Sequence, residues 1–191
     1  GIWTTTPWTL PANQAVSVNE RLEYVFASYE NNRFILLAND LLETVSKILE
    51  LPLKTHAVVQ GNFLEKVAYL NPIMDKKAEI VIGGEYITTE SGTGLVHTAP
   101  GHGIDDFNTG KKYGLEILCP VDEKGFLTSD AGQFEGLNVL KDANKAILDA
   151  LIKTGSLLKE ETYLHRYPYD WRTKKPTIFR ATEQWFASIE G

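Results

Sequence analysis

Sulfur is nearly absent from this sequence: Cys119 and Met74 are its only cysteine and methionine in 191 residues. A lone cysteine excludes an internal disulfide and any multi-cysteine zinc cage, and it fits a reducing compartment. The expected location is therefore cytoplasmic, with an organelle as the open alternative. No run approaches the ~18 consecutive apolar residues that a membrane-spanning helix needs. Positive charge is also in deficit, with 19 basic against 25 acidic residues and a net charge of −6. That balance excludes a general nucleic-acid binder coated in lysine and arginine. Glycine (15) and proline (8) are at ordinary levels, which excludes collagen-like and low-complexity chains. A start methionine and a basic-then-apolar leader are missing too, since the chain opens Gly-Ile-Trp-Thr-Thr-Thr. It reads as a piece cut from a larger protein.

What is present suits a well-buried core. Apolar residues make up 43% of the chain and aromatics 10%, and at this length roughly two-thirds to three-quarters of the unfolded surface can be hidden. There is no internal repeat and no Ser/Gly linker, so residues 1–191 read as a single domain and a monomer. Basic residues gather in the tail, at Arg166, Arg172, Lys174, Lys175 and Arg180, with a smaller pair at Lys111 and Lys112. Either set can be a solvated face or a phosphate contact.

Short β-branched and aromatic runs predict strands at Ile2 to Thr6, Ala15 to Val18, Tyr24 to Tyr29 and Phe34 to Leu37. Asn31-Asn32 suits a hairpin turn. Further strands are expected at His56 to Val59, Glu79 to Ile82, Tyr86 to Thr89 and Gly94 to Thr98, and irregular ones in the last thirty residues. Helices are expected after an Asn39 cap and up to Pro52, from Gly103 to Gly114, and from Leu140 to Thr154. The fold class is mainly β with inserted helices, around a β-barrel core.

Two segments could carry chemistry. The first is Thr4-Thr5-Thr6-Pro7-Trp8-Thr9-Leu10-Pro11-Ala12-Asn13, four hydroxyls and an amide fixed by two prolines. Threonine hydroxyls donate and accept, so such a run can hold a water or a sugar hydroxyl. Threonine is also simply common in strands. The second is Gly92 to Asp106, where glycines let the backbone approach a ligand and His97, His102, Asp105 and Asp106 follow closely. A metal site is disfavoured: His56 and His165 are isolated and no paired ligand spacing accompanies His97 and His102. There is no Gly-x-Ser-x-Gly elbow near Ser91, and the glycines do not match a phosphate loop. A carboxylate at a helix start is often only a cap.

Taken together, these segments resemble the editing domain inserted in class I isoleucyl-tRNA synthetases. The threonine run is similar to that family's threonine-rich motif and Gly92 to Asp106 to its second editing motif. His165-Arg166-Tyr167-Pro168-Tyr169-Asp170-Trp171-Arg172-Thr173-Lys174-Lys175-Pro176, with Arg180-Ala181-Thr182-Glu183-Gln184-Trp185-Phe186, resembles the stretch where the insertion returns to the catalytic body. The resemblance runs from Trp3 to about Ser188. The sister enzymes for valine and leucine typically carry Thr-Thr-Arg-Pro in the first motif and lack Pro-Gly-His-Gly in the second. Thr6 and the His97/His102 pair therefore point to the isoleucine branch, with the valyl and leucyl branches as the alternative.

The resemblance implies a fold of the valyl/isoleucyl/leucyl editing-domain type and hydrolysis of valine misattached to the isoleucine tRNA. Discrimination by one methylene in an apolar pocket is worth only ~1–3 kcal/mol, a limit for which this enzyme family is itself the standard illustration. It implies Thr6, His97 and Asp106 as catalytic residues. Asp106 would hold the substrate's α-ammonium, and His97 would border the side-chain pocket and help exclude the larger amino acid. Thr4, Thr5, Thr6 and Thr9, with Asn13, would hold the terminal adenosine and the attacking water. Thr6 is the first choice for that water. Trp8 would sit near the adenosine or in the core, while His102 and Asp105 shape the loop. The implied partner is the acceptor 3′ end of the isoleucine tRNA carrying valine, with small amino-acid or adenylate ligands besides. No metal or cofactor is implied for this domain. ATP and Mg belong to the parent's catalytic domain, whose ATP motifs do not occur here. A non-catalytic module that only binds an acylated tRNA end remains the competing class.

Overall fold

In the computed structural model, residues 1–164, 166–185, 187 and 188 are described, with Asn31 as backbone only. His165 and Phe186, both part of the tail resemblance, lie outside the described residues. Seven strands and three α-helices occur in the described residues, in the order Ala15–Val18 (β1), Glu23–Tyr29 (β2), Arg33–Ala38 (β3), Leu42–Leu49 (α1), Lys54–Gln60 (β4), Ala68–Leu70 (β5), Lys77–Ile82 (β6), Val96–Thr98 (β7), Ile104–Tyr113 (α2) and Ala143–Lys153 (α3).

The strands form two sheets. One is antiparallel, in the order β3-β2-β4, and Asn32 at φ +62° makes the tight β2–β3 connection, as the asparagine pair predicts. The other runs β5-β6-β1-β7, with β1 parallel to β6 and antiparallel to β7. Val16 of β1 stands opposite His97 of β7, so the histidine is built into a ladder. Val18, Tyr24, Val25, Leu37, Val45 and Ile80 belong to a core shared by both sheets and α1. The Tyr24 hydroxyl ties that core to the loop before β7, accepting from Asn19 N–H and donating to Gly94 O at 2.8 Å. Gly94 itself sits at φ +74°, and a Cβ there would meet Ala38 Cβ at 2.4 Å. Only glycine lets this loop lie so close to β3.

A second core joins Trp8, Ile73, Val121, Phe134 and Val139 to Ala143 and Ile147 of α3. Trp8 is 5% exposed, and its backbone N–H donates to Asn144 Oδ1 at 2.9 Å. Burial of an aromatic of this size contributes on the order of 2–3 kcal/mol.

Several sequence expectations change. Ile2 to Thr6 is not a strand. It leads into a 3-10 turn, Pro7–Ala12, because the threonines hydrogen-bond locally: Thr4 Oγ1 accepts the Thr6 N–H at 3.0 Å, and Thr6 O accepts the Thr9 N–H at 3.1 Å. Pro7 and Pro11 could not donate to a ladder in any case. Tyr86 to Thr89 is a turn rather than a strand. Ile87 N–H bonds back to Gly84 O at 3.2 Å, and Asn19 Nδ2 donates to Ile87 O. Asn39 does not cap α1; it opens a 3-10 turn, Asn39–Leu41, and turns its amide to Glu23. α3 begins at Ala143 instead of Leu140, since Asn138 N–H binds Asp142 Oδ1 and Leu140 N–H binds Asn138 Oδ1 in a preceding turn. The described tail residues hold one isolated bridge, Tyr169 with Pro176, where irregular strands were expected. β5 was not anticipated. No helix among the described residues is long and apolar enough to cross a membrane.

Candidate functional site

The two motif segments meet at a cavity of about 360 Å³. Thr4, Thr5, Thr6 and Thr9 line it from one side, and His97, His102 and Asp106 from the other motif. The 3-10 turn and the end of β7 bring them together across some ninety residues of sequence.

His97 anchors one wall, and its hydrogen bonds run in one direction. Asn13 Nδ2 donates to Ala15 O at 2.8 Å and to His97 Nδ1 at 2.7 Å. The Ala15 carbonyl can only accept, so it fixes which end of the amide faces it. His97 Nδ1 is then an acceptor, and the ring proton sits on Nε2. That N–H donates to Thr9 Oγ1 at 3.0 Å, and Thr9 O–H donates to Thr6 O at 2.9 Å. At the far end, the Tyr69 hydroxyl donates to Asn13 Oδ1. Every polar atom of the His97 ring is taken. Burial pushes its pKa down to about 4, with His102 opposing a second positive charge nearby. The ring is neutral at physiological pH and serves the cavity as a shaped wall.

Asp106 anchors the opposite character. It stands in the first turn of α2, where free N–H groups and the helix dipole favour an acid. Its Oδ2 accepts the Ala99 N–H at 2.8 Å, which closes the loop from β7 to α2. Its other oxygen has no partner among the described residues, and no described lysine or arginine pairs with it. Burial raises its pKa, the Ala99 N–H opposes that rise, and Asp105 adds to it. It is the one acidic side chain among the described lining residues.

His102 lies between these extremes. Its Nδ1 donates to Phe179 O at 2.9 Å, and its ring meets Trp8 edge-on at 5.0 Å. Its Nε2 is buried with no partner among the described residues, and burial lowers its pKa. Ala181 N–H also donates to Gly101 O at 2.8 Å. The tail thus clamps the loop that leads into α2. Gly101 permits this loop to fold tightly, since a Cβ would lie 2.2 Å from Leu118 O.

Not every candidate faces the cavity. Trp8 belongs to the second core, and Asp105 is exposed outside the lining. Asn13 is not among the cavity's lining; with Tyr69 it lines an adjoining groove of about 720 Å³ that shares Trp3, Thr4, Thr5 and His97 with the cavity. Thr88 and Ser91 join the lining from the loop before β7, and neither forms a side-chain hydrogen bond to described residues. Sequence reasoning read that loop as a strand and so left Thr88 out. Tyr69 went unnoticed because its three-residue strand carries no pattern. Lys111 and Lys112 close the last turn of α2, which suits the helix dipole, and lie over Phe107 and Tyr113.

The chain matches no protein-family model. Its fold is that of a CP1 domain. The crystal structure of GlLeuRS-CP1 superposes with a TM-score of 0.66 over 83% of this chain and 82% of that one, at 16% identity. The sequence narrows the class further. The chain is 66% identical over 190 residues to an isoleucine–tRNA ligase of Prochlorococcus marinus (strain NATL2A), and 59% over 194 residues to one of Rippkaea orientalis. Both matches cover all of this chain and 20% of the relative's length. The chain belongs to the isoleucine–tRNA ligase family and spans about one fifth of the length of the relatives it matches.

Proposed function

We propose that this chain is the post-transfer editing domain of an isoleucine–tRNA ligase, which hydrolyses the ester of valine misattached to the isoleucine tRNA. The observation that carries the reading is Asp106. A half-buried carboxylate with one oxygen unengaged and no cation paired with it among the described residues fits the α-ammonium of an aminoacyl group. The neutral, saturated face of His97 suits a wall that sorts side chains by size. In the reaction a water adds to the ester carbonyl, the bond from that carbon to the ribose oxygen breaks, and the freed ribose hydroxyl takes a proton. Valine leaves as the free acid. His97 is no general base near neutral pH, because both its nitrogens are engaged and its pKa is near 4. Thr6, half-buried and lining the cavity, positions the water. A ribose hydroxyl of the tRNA assists, so that placement supplies much of the rate.

On this reading the partner is the acylated 3′ end of the isoleucine tRNA, with valyl-adenylate as a smaller ligand of the same cavity. The domain acts as a monomer in the cytoplasm. The test presents valyl- and isoleucyl-tRNA(Ile) to the full-length ligase that carries this region. Rapid release of valine with isoleucine spared is expected. Equal turnover of both esters, or of neither, overturns the reading.

A further inference from the structure

From the hydrogen-bond chain behind the cavity, we propose that Tyr69 is a positioning residue that acts through Asn13 to hold the His97 ring in its Nε2–H tautomer and fixed orientation. This rests on the editing reading only for its consequence, the selectivity of the gate. Tyr69 sits on β5, opposite Ala78 of β6, with its ring against the first core. Its hydroxyl faces Asn13 Oδ1. It lines the adjoining groove and is not among the residues that line the cavity.

Two contacts pin the Asn13 amide: Ala15 O at the nitrogen end and Tyr69 at the oxygen end. Without the tyrosine hydroxyl, Oδ1 is left in a half-buried site with no donor, which is costly. Oδ1 can regain a donor only by turning toward a His97 Nδ1–H, at the cost of facing the Ala15 carbonyl, so the fixed amide becomes a mixture of two orientations. The consequence runs down the chain. In the turned orientation Nε2 becomes the acceptor, Thr9 O–H turns to it, and the bond from Thr9 to Thr6 O is lost. A side chain outside the cavity thereby sets the positions of three residues that line it. The arrangement matches the known use of outer hydrogen bonds to fix a histidine tautomer.

The ring nitrogens report this directly in the chain labelled with 15N-histidine. Wild-type His97 is expected as a single Nε2–H tautomer at neutral pH, and an Nδ1–H signature there overturns the proposal. In Tyr69→Phe the single-tautomer signature is lost and His97 takes up its proton at higher pH. An unchanged ring spectrum overturns the proposal whatever the hydrolysis shows. Where the phenylalanine variant does not fold, 3-fluorotyrosine at position 69 keeps the ring and strengthens the donor. The His97 Nδ1 resonance then shifts, and no shift overturns the proposal. In the full-length ligase, Tyr69→Phe raises isoleucyl-ester hydrolysis relative to valyl-ester hydrolysis about tenfold, as for one lost hydrogen bond. A changed ring spectrum in a ligase that hydrolyses neither ester supports the positioning role and overturns the editing reading.

Discussion

The walls at His97 and Asp106 differ in how their polar atoms are used. Around His97 the chain from Tyr69 through Asn13 and Thr9 to Thr6 O leaves nothing unpaired. Around Asp106 one carboxylate oxygen and the buried His102 Nε2 lack partners among the described residues. A saturated wall offers a ligand only shape, and shape is what separates two aliphatic side chains. An unsaturated wall offers charge and unmade hydrogen bonds, which bind whatever supplies the complement. One cavity can therefore bind by charge on one side and reject by size on the other.

The sharpest way to break this comparison is to remove the charge alone. Asp106→Asn keeps an oxygen for the Ala99 N–H, so the loop into α2 keeps its closure. It removes the partner for an ammonium. Losing one member of a buried charge pair costs several kcal/mol, so valyl-ester hydrolysis should fall at least about a hundredfold with little change in unfolding midpoint. Retained hydrolysis would place the ammonium elsewhere.

Removing the saturated wall should have the smaller and more selective effect. His97→Ala opens space without touching the Asp106 side. Hydrolysis of the isoleucyl ester is expected to rise on the order of tenfold or more, in keeping with the value of a methylene fit, while the valyl ester is still cleaved. A variant that continues to spare isoleucyl-tRNA would show that another residue sets the size limit.

How much of this was legible depends on the range of the signal. β1 to β4, β6 and β7 were visible because alternation and turn residues are local, and α2 was framed by Gly103 and Gly114. Ile2 to Thr6 was misread as a strand, since threonine's β propensity was outweighed by hydroxyls bonding their own backbone. The gathering of the threonine and histidine motifs was legible as a resemblance. The division of labour between them was not. It depends on Asn13 reaching His97 84 residues away and on Tyr69 reaching Asn13 across 56, and no local pattern encodes either contact.

The saturated wall also makes a prediction about pH. His97 takes its proton at about 4 in the folded chain, against an ordinary value of 6.5. Between those values the unfolded chain binds more protons, so folding stability rises with pH through this window. The contribution is fully present above about pH 6.5 and is lost as pH falls toward 4. Its full size is on the order of 3 kcal/mol. Urea unfolding at pH 7 and pH 5 should therefore show a larger loss in wild type than in His97→Ala. Equal losses would mean that the ring is not held neutral.

The smallest effect should come from Asp105, which adjoins Asp106 in sequence and differs from it in almost everything else. It is exposed and lies off the cavity lining, so it can act on the site only through its charge. That charge adds to the upward shift of the Asp106 pKa, behind the larger effect of burial. Asp105→Asn removes the smaller cause and leaves the larger one, so Asp106 should ionise at a somewhat lower pH. The valyl-ester rate at pH 7 should change less than about twofold, and the acid limb of the pH profile should move down. The helix should lose a few tenths of a kcal/mol from its first turn, as for an exposed acid at a dipole. A large loss of rate at pH 7 would mean that Asp105 itself meets the substrate, and the contrast between an open Asp106 wall and a bystander beside it would fail.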